Sequence, residues 1–333
     1  MNRLPVHVLT GFLGSGKTTL LNELLKASAL ERSAVIVNEF GDISIDHLLV
    51  QHSDDRLIEL PGGCVCCAVR GDLAETLATL LAAREAGDCQ PFDRIVIETT
   101  GVAEPVPIVN LLATDPLLAE RLRLGRVITT VDAVNGPDTL ARYGPARRQL
   151  ALADRVVVSK TDLAPLQAAE AEVARFNPTT AVVSAVNGRF ERADRLLKWL
   201  AEEAPPRFPA PLDSPHDHQG IGTFTVVRDV PLPGAALALL IEVLAQHLGA
   251  RLLRVKGVVA LREAPGTPAL VQGAQHVFHP IDFLPQWPDS DTRTRLVFIG
   301  ENIRPGWVET LLDALVWEVD QRSTDRQGRE PNV

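Results

Sequence analysis

Residues Gly11-Phe12-Leu13-Gly14-Ser15-Gly16-Lys17-Thr18 satisfy the pattern G-x-x-x-x-G-K-S/T. A loop of this kind needs a buried strand before it and a helix after it. Its glycines turn successive backbone N–H groups inward around a phosphate, and the helix adds its positive N-terminal end. Both flanks are present: residues 6–9 are a short apolar run, and Thr19-Leu20-Leu21 opens a helical pattern. In such a cradle the segment Gly14, Ser15, Gly16, Lys17, Thr18 and Thr19 holds nucleotide phosphates. Lys17 neutralises the β/γ charge and projects into an open loop when no ligand is bound, while the Thr18 hydroxyl ligates Mg²⁺.

The rest of the first two thirds repeats the strand–helix alternation. Apolar runs at 34–37, 95–98, 127–131, 155–159 and 181–184 read as strands, several without period-two alternation, as in strands buried on both faces. Helical faces such as Leu73, Leu77, Leu80 and Leu81 lie between them. The expected fold class is therefore α/β, a P-loop NTPase domain over 1–203 with a mostly parallel sheet and flanking helices. Residues 204–220 hold five prolines and no apolar period, and read as an extended linker. A smaller C-terminal α+β domain is expected over 221–320, with strands near 222–227, 252–261, 269–272 and 295–299. One helix there shows a face of Leu237, Leu240, Ile241, Leu244 and Leu248, and a last helix shows one of Val308, Leu311, Leu312, Leu315 and Val319. Residues 321–333 read as a disordered tail.

Two further elements give the cradle a ligand. The run 94–98 ends in Glu98 and is followed by Thr99-Thr100-Gly101; an acid there holds Mg²⁺, usually through water, and Gly101 can offer its N–H to a γ-phosphate. Ser159-Lys160-Thr161-Asp162 resembles the guanine signature N/T-K-x-D, with Ser159 in the first place. Asp162 can accept both the ring N–H and the exocyclic amine of guanine, a donor pair that adenine lacks, and the Lys160 stem covers the base. Ser184 follows a further strand, where a base-contacting loop is expected. GTP/GDP is thus the favoured nucleotide; an ATP-using kinase or synthetase whose thiols form a structural zinc site is the rival.

A formal net charge of −9 offers no field to a phosphate polymer, and no basic patch is visible, so no nucleic-acid partner is expected. The most apolar stretch, 235–245, is broken by Glu242 and falls short of a membrane span. With no cleavable leader pattern at the N-terminus, the reading is a cytoplasmic protein without a membrane partner. The cysteines are clustered: Cys64, Cys66 and Cys67 fall within four residues, and Cys89 is assigned no role. In an extended chain Cys64 and Cys66 share a face, and a bend at Cys67 brings in a third sulfur. Three thiolates suit Zn²⁺ or Cu(I), and Zn²⁺ takes a fourth ligand, for which Glu39 and Asp42 are the nearest acids. Buried structural cysteines and a redox switch are the competing readings. His216 and His218 offer a transient metal contact or are simply solvated; His247, His276 and His279 have no matching partners.

With GFLGSGKTTLL, NEFGD, GGCVCC, ETTG and SKTDL in this order, the chain resembles the CobW-like metallochaperone GTPases, relatives of the accessory GTPases that deliver nickel to hydrogenase and urease. The segments Leu253-Arg254-Val255-Lys256-Gly257-Val258 and Val271-Gln272-Gly273 look like that family's C-terminal domain. The resemblance implies GTP hydrolysis whose nucleotide state controls capture and release of a metal at Cys64, Cys66 and Cys67, and with no evident in-cis arginine finger or water-orienting Gln the intrinsic turnover is expected to be slow. It points to Zn²⁺, with Co²⁺ as competitor, and to a client metalloprotein as acceptor. A cobalt chaperone for cobalamin or cobalt-enzyme assembly, and a partner-binding regulatory GTPase with a structural zinc site, are the alternatives. The oligomeric state is open to control by nucleotide or metal. Where some relatives carry an acid before the Asn-Glu pair this chain has Val37, and it lacks long histidine tracts. The expected switch is the 38–46 segment, ordered by GTP so that Glu39 or Asp42 approaches the thiols.

Overall fold

The computed structural model describes residues 3–26, 30, 32–38, 58–60, 64–68, 72–187, 189, 216–218 and 220–327. The chain divides into two compact units, Met1–Ala174 with Thr180–Ala204, and Arg175–Thr179 with Pro205–Val333.

The first unit is built on an eight-stranded sheet. Its strands are β1 (Leu4–Gly11), β2 (Ser33–Asn38), β3 (Ile58–Leu60), β4 (Cys64–Ala68), β5 (Arg94–Thr99), β6 (Leu122–Asp132), β7 (Arg155–Ser159) and β8 (Ala181–Ala185), in the order β3-β4-β2-β5-β1-β6-β7-β8. All neighbours are parallel except β3 and β4. The helices are α1 (Lys17–Lys26), α2 (Leu73–Ala86), α3 (Val106–Thr114), α4 (Pro116–Arg121), α5 (Gly136–Arg142), α6 (Gly144–Leu152) and α7 (Leu166–Phe176). The absence of alternation in the central strands has a direct cause: Val6, Val8, Ile95, Ile97, Val156 and Val158 are completely buried. Each contributes about 1.5–3 kcal/mol of apolar burial. Helix α2 starts where Asp72 accepts the Ala74 amide at 2.9 Å and stops at Gly87 in the left-handed region (φ +77°), burying Leu77, Leu80 and Leu81 as their spacing predicts.

The six expected strands are present, and β3 and β4 extend the sheet at one edge. In β4 the ladder sets Cys66 opposite Val35, Cys67 opposite Ile36 and Ala68 opposite Val37. On the other side of β2, Ile36 pairs with Ile97 and Val37 with Glu98. Pairing runs through Cys67 to Ala68, so the backbone does not take the expected bend at Cys67.

The second unit holds a seven-stranded sheet of β9 (His216–His218), β10 (Ile221–Arg228), β11 (Leu252–Val259), β12 (Ala269–Ala274), β13 (Val277–Phe278), β14 (Asp282–Phe283) and β15 (Thr294–Glu301). Every pairing is antiparallel, in the order β13-β12-β11-β15-β10-β9, with β14 on β12. Helices α8 (Gly234–His247) and α9 (Pro305–Gln327) bury Leu237, Leu240, Leu244, Val308 and Leu312 in one cluster with Phe224 and Phe298, whose rings stack at 5.1 Å. Two expectations change. Residues 216–218, assigned to an extended linker, pair with 221–223 as an edge strand. The last helix passes Asp320 and runs to Gln327, because no glycine or proline interrupts the chain before Gly328 and two ion pairs, Arg262–Asp320 and Glu318–Arg322, support its outer turns. Among the described residues no helix is long and apolar enough to cross a membrane.

Candidate functional site

The phosphate loop leaves β1 at the interior of the sheet and enters α1, so its amides face the space above the C-terminal strand ends. Gly14 (φ +72°) and Gly16 (φ +91°) adopt the left-handed backbone that this turn requires. Lys17 is buried, and its Nζ donates to the carbonyls of Gly11 (2.8 Å) and Phe12 (3.2 Å). It is thus folded onto its own loop instead of projecting into open space, because a buried ammonium must keep hydrogen-bond acceptors.

The Thr18 hydroxyl donates to Glu98 Oε1 at 2.8 Å, joining the first turn of α1 to the end of β5. Glu98 is 4% exposed. A hydroxyl and a buried carboxylate in contact beside a phosphate cradle form the oxygen donor set that Mg²⁺ uses, with its remaining positions filled by water and phosphate. One strand end away, Thr99 Oγ1 donates to Thr10 Oγ1 at 2.9 Å, so β5 and β1 are tied just below the loop.

The guanine-type segment is wired to the same loop. Ser159 Oγ donates to the Ser15 carbonyl at 2.7 Å, and the Ser15 and Thr130 hydroxyls lie 2.6 Å apart. A hydroxyl in the first place of the signature therefore does structural work that its chemistry alone did not reveal. Lys160 takes a positive φ of +58° and donates its Nζ to Asp132 Oδ2. Asp132 also accepts the Val134 amide at 2.7 Å, the Asn135 amide at 3.2 Å and Asn135 Nδ2 at 3.1 Å. Burial pushes the Asp132 carboxyl upward, but these donors, Lys160 foremost, outweigh it and hold the group below its ordinary value. Asp132 thus stays anionic and fixes the lysine stem. Asp162 is exposed within the turn that the Leu163 amide closes on the Lys160 carbonyl. Ser184, on β8, pairs with Val158.

Gly101 is a site of close approach. A Cβ placed there would meet Leu13 Cδ2 at 2.5 Å and Leu13 Cα at 2.9 Å, so the loop after β5 lies directly against the phosphate loop. The same loop is held from behind by α6. Gln149, completely buried, donates its Nε2 to the carbonyls of Gly101 (3.2 Å) and Ala103 (2.8 Å), and Arg148 pairs with Glu104 at 2.7 Å. Because both neighbours are carbonyls, the amide nitrogen must face them; Gln149 Oε1 is left without a partner among the described residues. An unpaired buried acceptor costs about 1–3 kcal/mol. Just before α6, Tyr143 stacks on Phe12 of the phosphate loop at 4.7 Å. A cavity of about 290 Å³ lies between these elements, lined among others by Phe12, Ser15, Asp132, Tyr143 and Gln149.

The structure therefore brings together Gly14–Thr19 of the cradle, Glu98, Gly101 and Ser159–Lys160, with Asp162 exposed on the turn that follows. Thr130, Asp132 and Gln149 were missed, since each acts through a partner far away in sequence; the acid ending the run 127–132 was the one signal available for Asp132. Glu39 and Asp42 lie outside the described residues. For Cys64, Cys66 and Cys67 the backbone register given above is what is described.

The CobW/HypB/UreG nucleotide-binding domain matches residues 5–184, and the cobW C-terminal domain matches residues 221–316. The chain is 33% identical over 307 residues to the zinc chaperone YjiA of Escherichia coli, covering 90% of this chain and 95% of that one. It is 32% identical over 344 residues to the zinc chaperone CobW of Pseudomonas aeruginosa, covering 90% and 88%. The crystal structure of the Zn(II)-bound YjiA GTPase from Escherichia coli matches with a TM-score of 0.72 at 30% identity, over 95% of this chain and 99% of that one. The phosphate cradle, the acid of β5 and the guanine-type segment thus belong to a GTP-hydrolysing domain, and the chain is a member of the CobW/HypB/UreG family.

Proposed function

We propose that the protein is a metallochaperone that binds zinc as cargo at Cys64, Cys66 and Cys67 and releases it to a client metalloprotein under control of its GTP cycle. The observation that carries the reading is the register of β4: the C-x-C-C segment is a strand of the nucleotide-binding sheet, separated from the Glu98 strand by β2 alone. The zinc chaperones to which the chain is similar support the choice of metal.

In this reading Gly14, Ser15, Gly16, Lys17, Thr18 and Thr19 bind the phosphates, with the Lys17 ammonium leaving its loop carbonyls for the β/γ-phosphates. Thr18 and Glu98 would hold Mg²⁺, which when bound neutralises charge developing on the β- and γ-phosphates. Gly101 offers its N–H to the γ-phosphate. Ser159 keeps the guanine-reading turn in register with the loop, Lys160 covers the base, Asp162 reads it, and Ser184 lies beside it. The segment leaving β2 at Asn38 carries Glu39 and Asp42, and the γ-phosphate draws one of them to the thiols as a fourth ligand.

The test is a titration of metal-free protein with Zn²⁺ in saturating GTP analogue and in GDP, with Co²⁺ as competitor. Metal affinity should differ between the two nucleotides, and reciprocity requires nucleotide affinity to shift by the same factor when Zn²⁺ is added. Cys66→Ser with Cys67→Ser should abolish that difference and leave GTP binding intact. Equal affinities in both nucleotide states would leave a regulatory GTPase with a structural zinc site, and preference for Co²⁺ would make cobalt the cargo.

A further inference from the structure

Helix α6 touches the nucleotide site at two places that belong to different parts of it. Tyr143, the residue before the helix, stacks on Phe12 of the phosphate loop, and Gln149, midway along it, holds the loop that follows β5. Gln149 commits its amide nitrogen to two carbonyls of one short loop, those of Gly101 and Ala103, while its oxygen has no partner among the described residues. Its own carbonyl accepts the Thr129 hydroxyl at 2.9 Å, which fixes the helix to β6. A neighbouring pair, Arg148–Glu104, restrains the far end of the same loop. The 101–104 loop is therefore fastened to a helix that is itself fastened to the sheet.

This arrangement has a specific chemical consequence. The Gly101 N–H shares its peptide plane with the Thr100 carbonyl, which accepts the Ala103 amide at 3.1 Å, and Gln149 holds the carbonyls of both Gly101 and Ala103, so the turn that orients this N–H is fastened to the helix. We infer that Gln149 is a positioning residue for GTP hydrolysis: it presents the Gly101 N–H to the γ-phosphate, so that discrimination of GTP from GDP depends on a side chain that touches neither nucleotide. The inference rests on Gly101 being the γ-phosphate donor in the reading above. GDP has no group at that position, so its binding is independent of Gln149. The apolar isostere Gln149→Met removes both donors, fills the same space and removes the unpaired oxygen.

The experiment measures affinity for fluorescent GDP and for a non-hydrolysable GTP analogue, together with kcat and KM for GTP, in wild type and Gln149→Met. The ratio of analogue to GDP affinity should fall about tenfold, as expected for losing one well-placed hydrogen bond, with GDP affinity unchanged and kcat reduced. Analogue and GDP affinities falling in parallel, or neither moving, would overturn the inference. Should Gln149→Met not fold, Gln149→Glu, which keeps shape but sets a carboxylate against two carbonyls, is read by the same ratio, and an unchanged ratio refutes equally. A wild-type protein that binds GDP but gains nothing from a γ-phosphate would instead remove the reading of Gly101.

Discussion

Gly101→Ala places a methyl carbon 2.9 Å from Leu13 Cα and 2.5 Å from Leu13 Cδ2. Carbon atoms rest at about 3.5–4.0 Å. Leu13 is 64% exposed, so its side chain can swing away. Its Cα cannot, and the phosphate loop and the 101–104 loop must part by about 0.6 Å to restore contact distance. A misplacement of ~1 Å at a reacting group costs on the order of 100-fold in rate. About half that displacement predicts a roughly tenfold loss in kcat/KM for GTP, near 1.4 kcal/mol. The overpacking itself costs about 1–3 kcal/mol of stability. GDP affinity should hold, since in the proposed reading the displaced amide serves a phosphate that GDP lacks. Phosphate release and titration with fluorescent GDP measure the two quantities. Adding Leu13→Ala removes the Cγ and Cδ2 contacts but leaves Cα in place, so the double variant should recover part of the loss. Wild-type hydrolysis by Gly101→Ala would show that the two loops do not act together.

Two further outcomes follow from the geometry. Asp162→Asn presents an amide donor where guanine needs acceptors, so selectivity for GTP over ATP in competition binding should relax; unchanged selectivity would remove Asp162 from base reading. His7 is buried with its Nδ1 accepting the Arg126 amide at 3.1 Å, and burial, with Arg94, Arg126 and Arg123 nearby, lowers its pKa from 6.5 to about 4. The unfolded chain takes up this proton first, so stability present above pH ~6.5 is lost as pH falls toward 4, by about 3 kcal/mol at pH 4. His7→Asn keeps an acceptor without titrating, and urea midpoints at pH 7 and pH 4.5 should lie closer together than in wild type; an equal gap would mean that other groups govern the acid limb.

Much of the candidate site was legible because its chemistry is local. The loop from Gly11 to Thr18 is contiguous, Glu98 ends its own strand, and Lys160 and Asp162 lie two residues apart. What was not legible depends on contacts between distant positions. Gln149 reaches a carbonyl 48 residues away, Ser159 one 144 residues away, and Lys160 an acid 28 residues away. No periodicity or spacing encodes such pairs. The strands 58–60 and 64–68 were not among the expected sheet strands, because the first is only three residues long and the thiols mask apolar alternation in the second, although Cys64 and Cys66 were read on an extended backbone. The edge strand at 216–218 escaped for the opposite reason: its backbone pairs with β10 although its composition is that of a linker.

The rungs shared by β4, β2 and β5 have an electrostatic meaning. Neighbouring strands are spaced by about 4.8 Å, so the backbone at Cys67 and that at Ile97, one residue before Glu98, are about 10 Å apart. In open solvent at physiological salt that interval is about one Debye length, and charges so far apart hardly sense each other. Here the intervening residues are Val35, Ile36 and Val37, all buried, so screening across that strand is weaker than in open solvent. At an effective dielectric constant of about 20, each pair of unit charges across 10 Å interacts by about 1.7 kcal/mol. In the proposed reading, each net unit of charge gained or lost on the thiol strand, the ion less the thiol protons it displaces, would shift the energy of the Glu98 carboxylate by more than thermal energy. Cargo and nucleotide bound as proposed would be neighbours in one field, and that part of their communication would require no moving part.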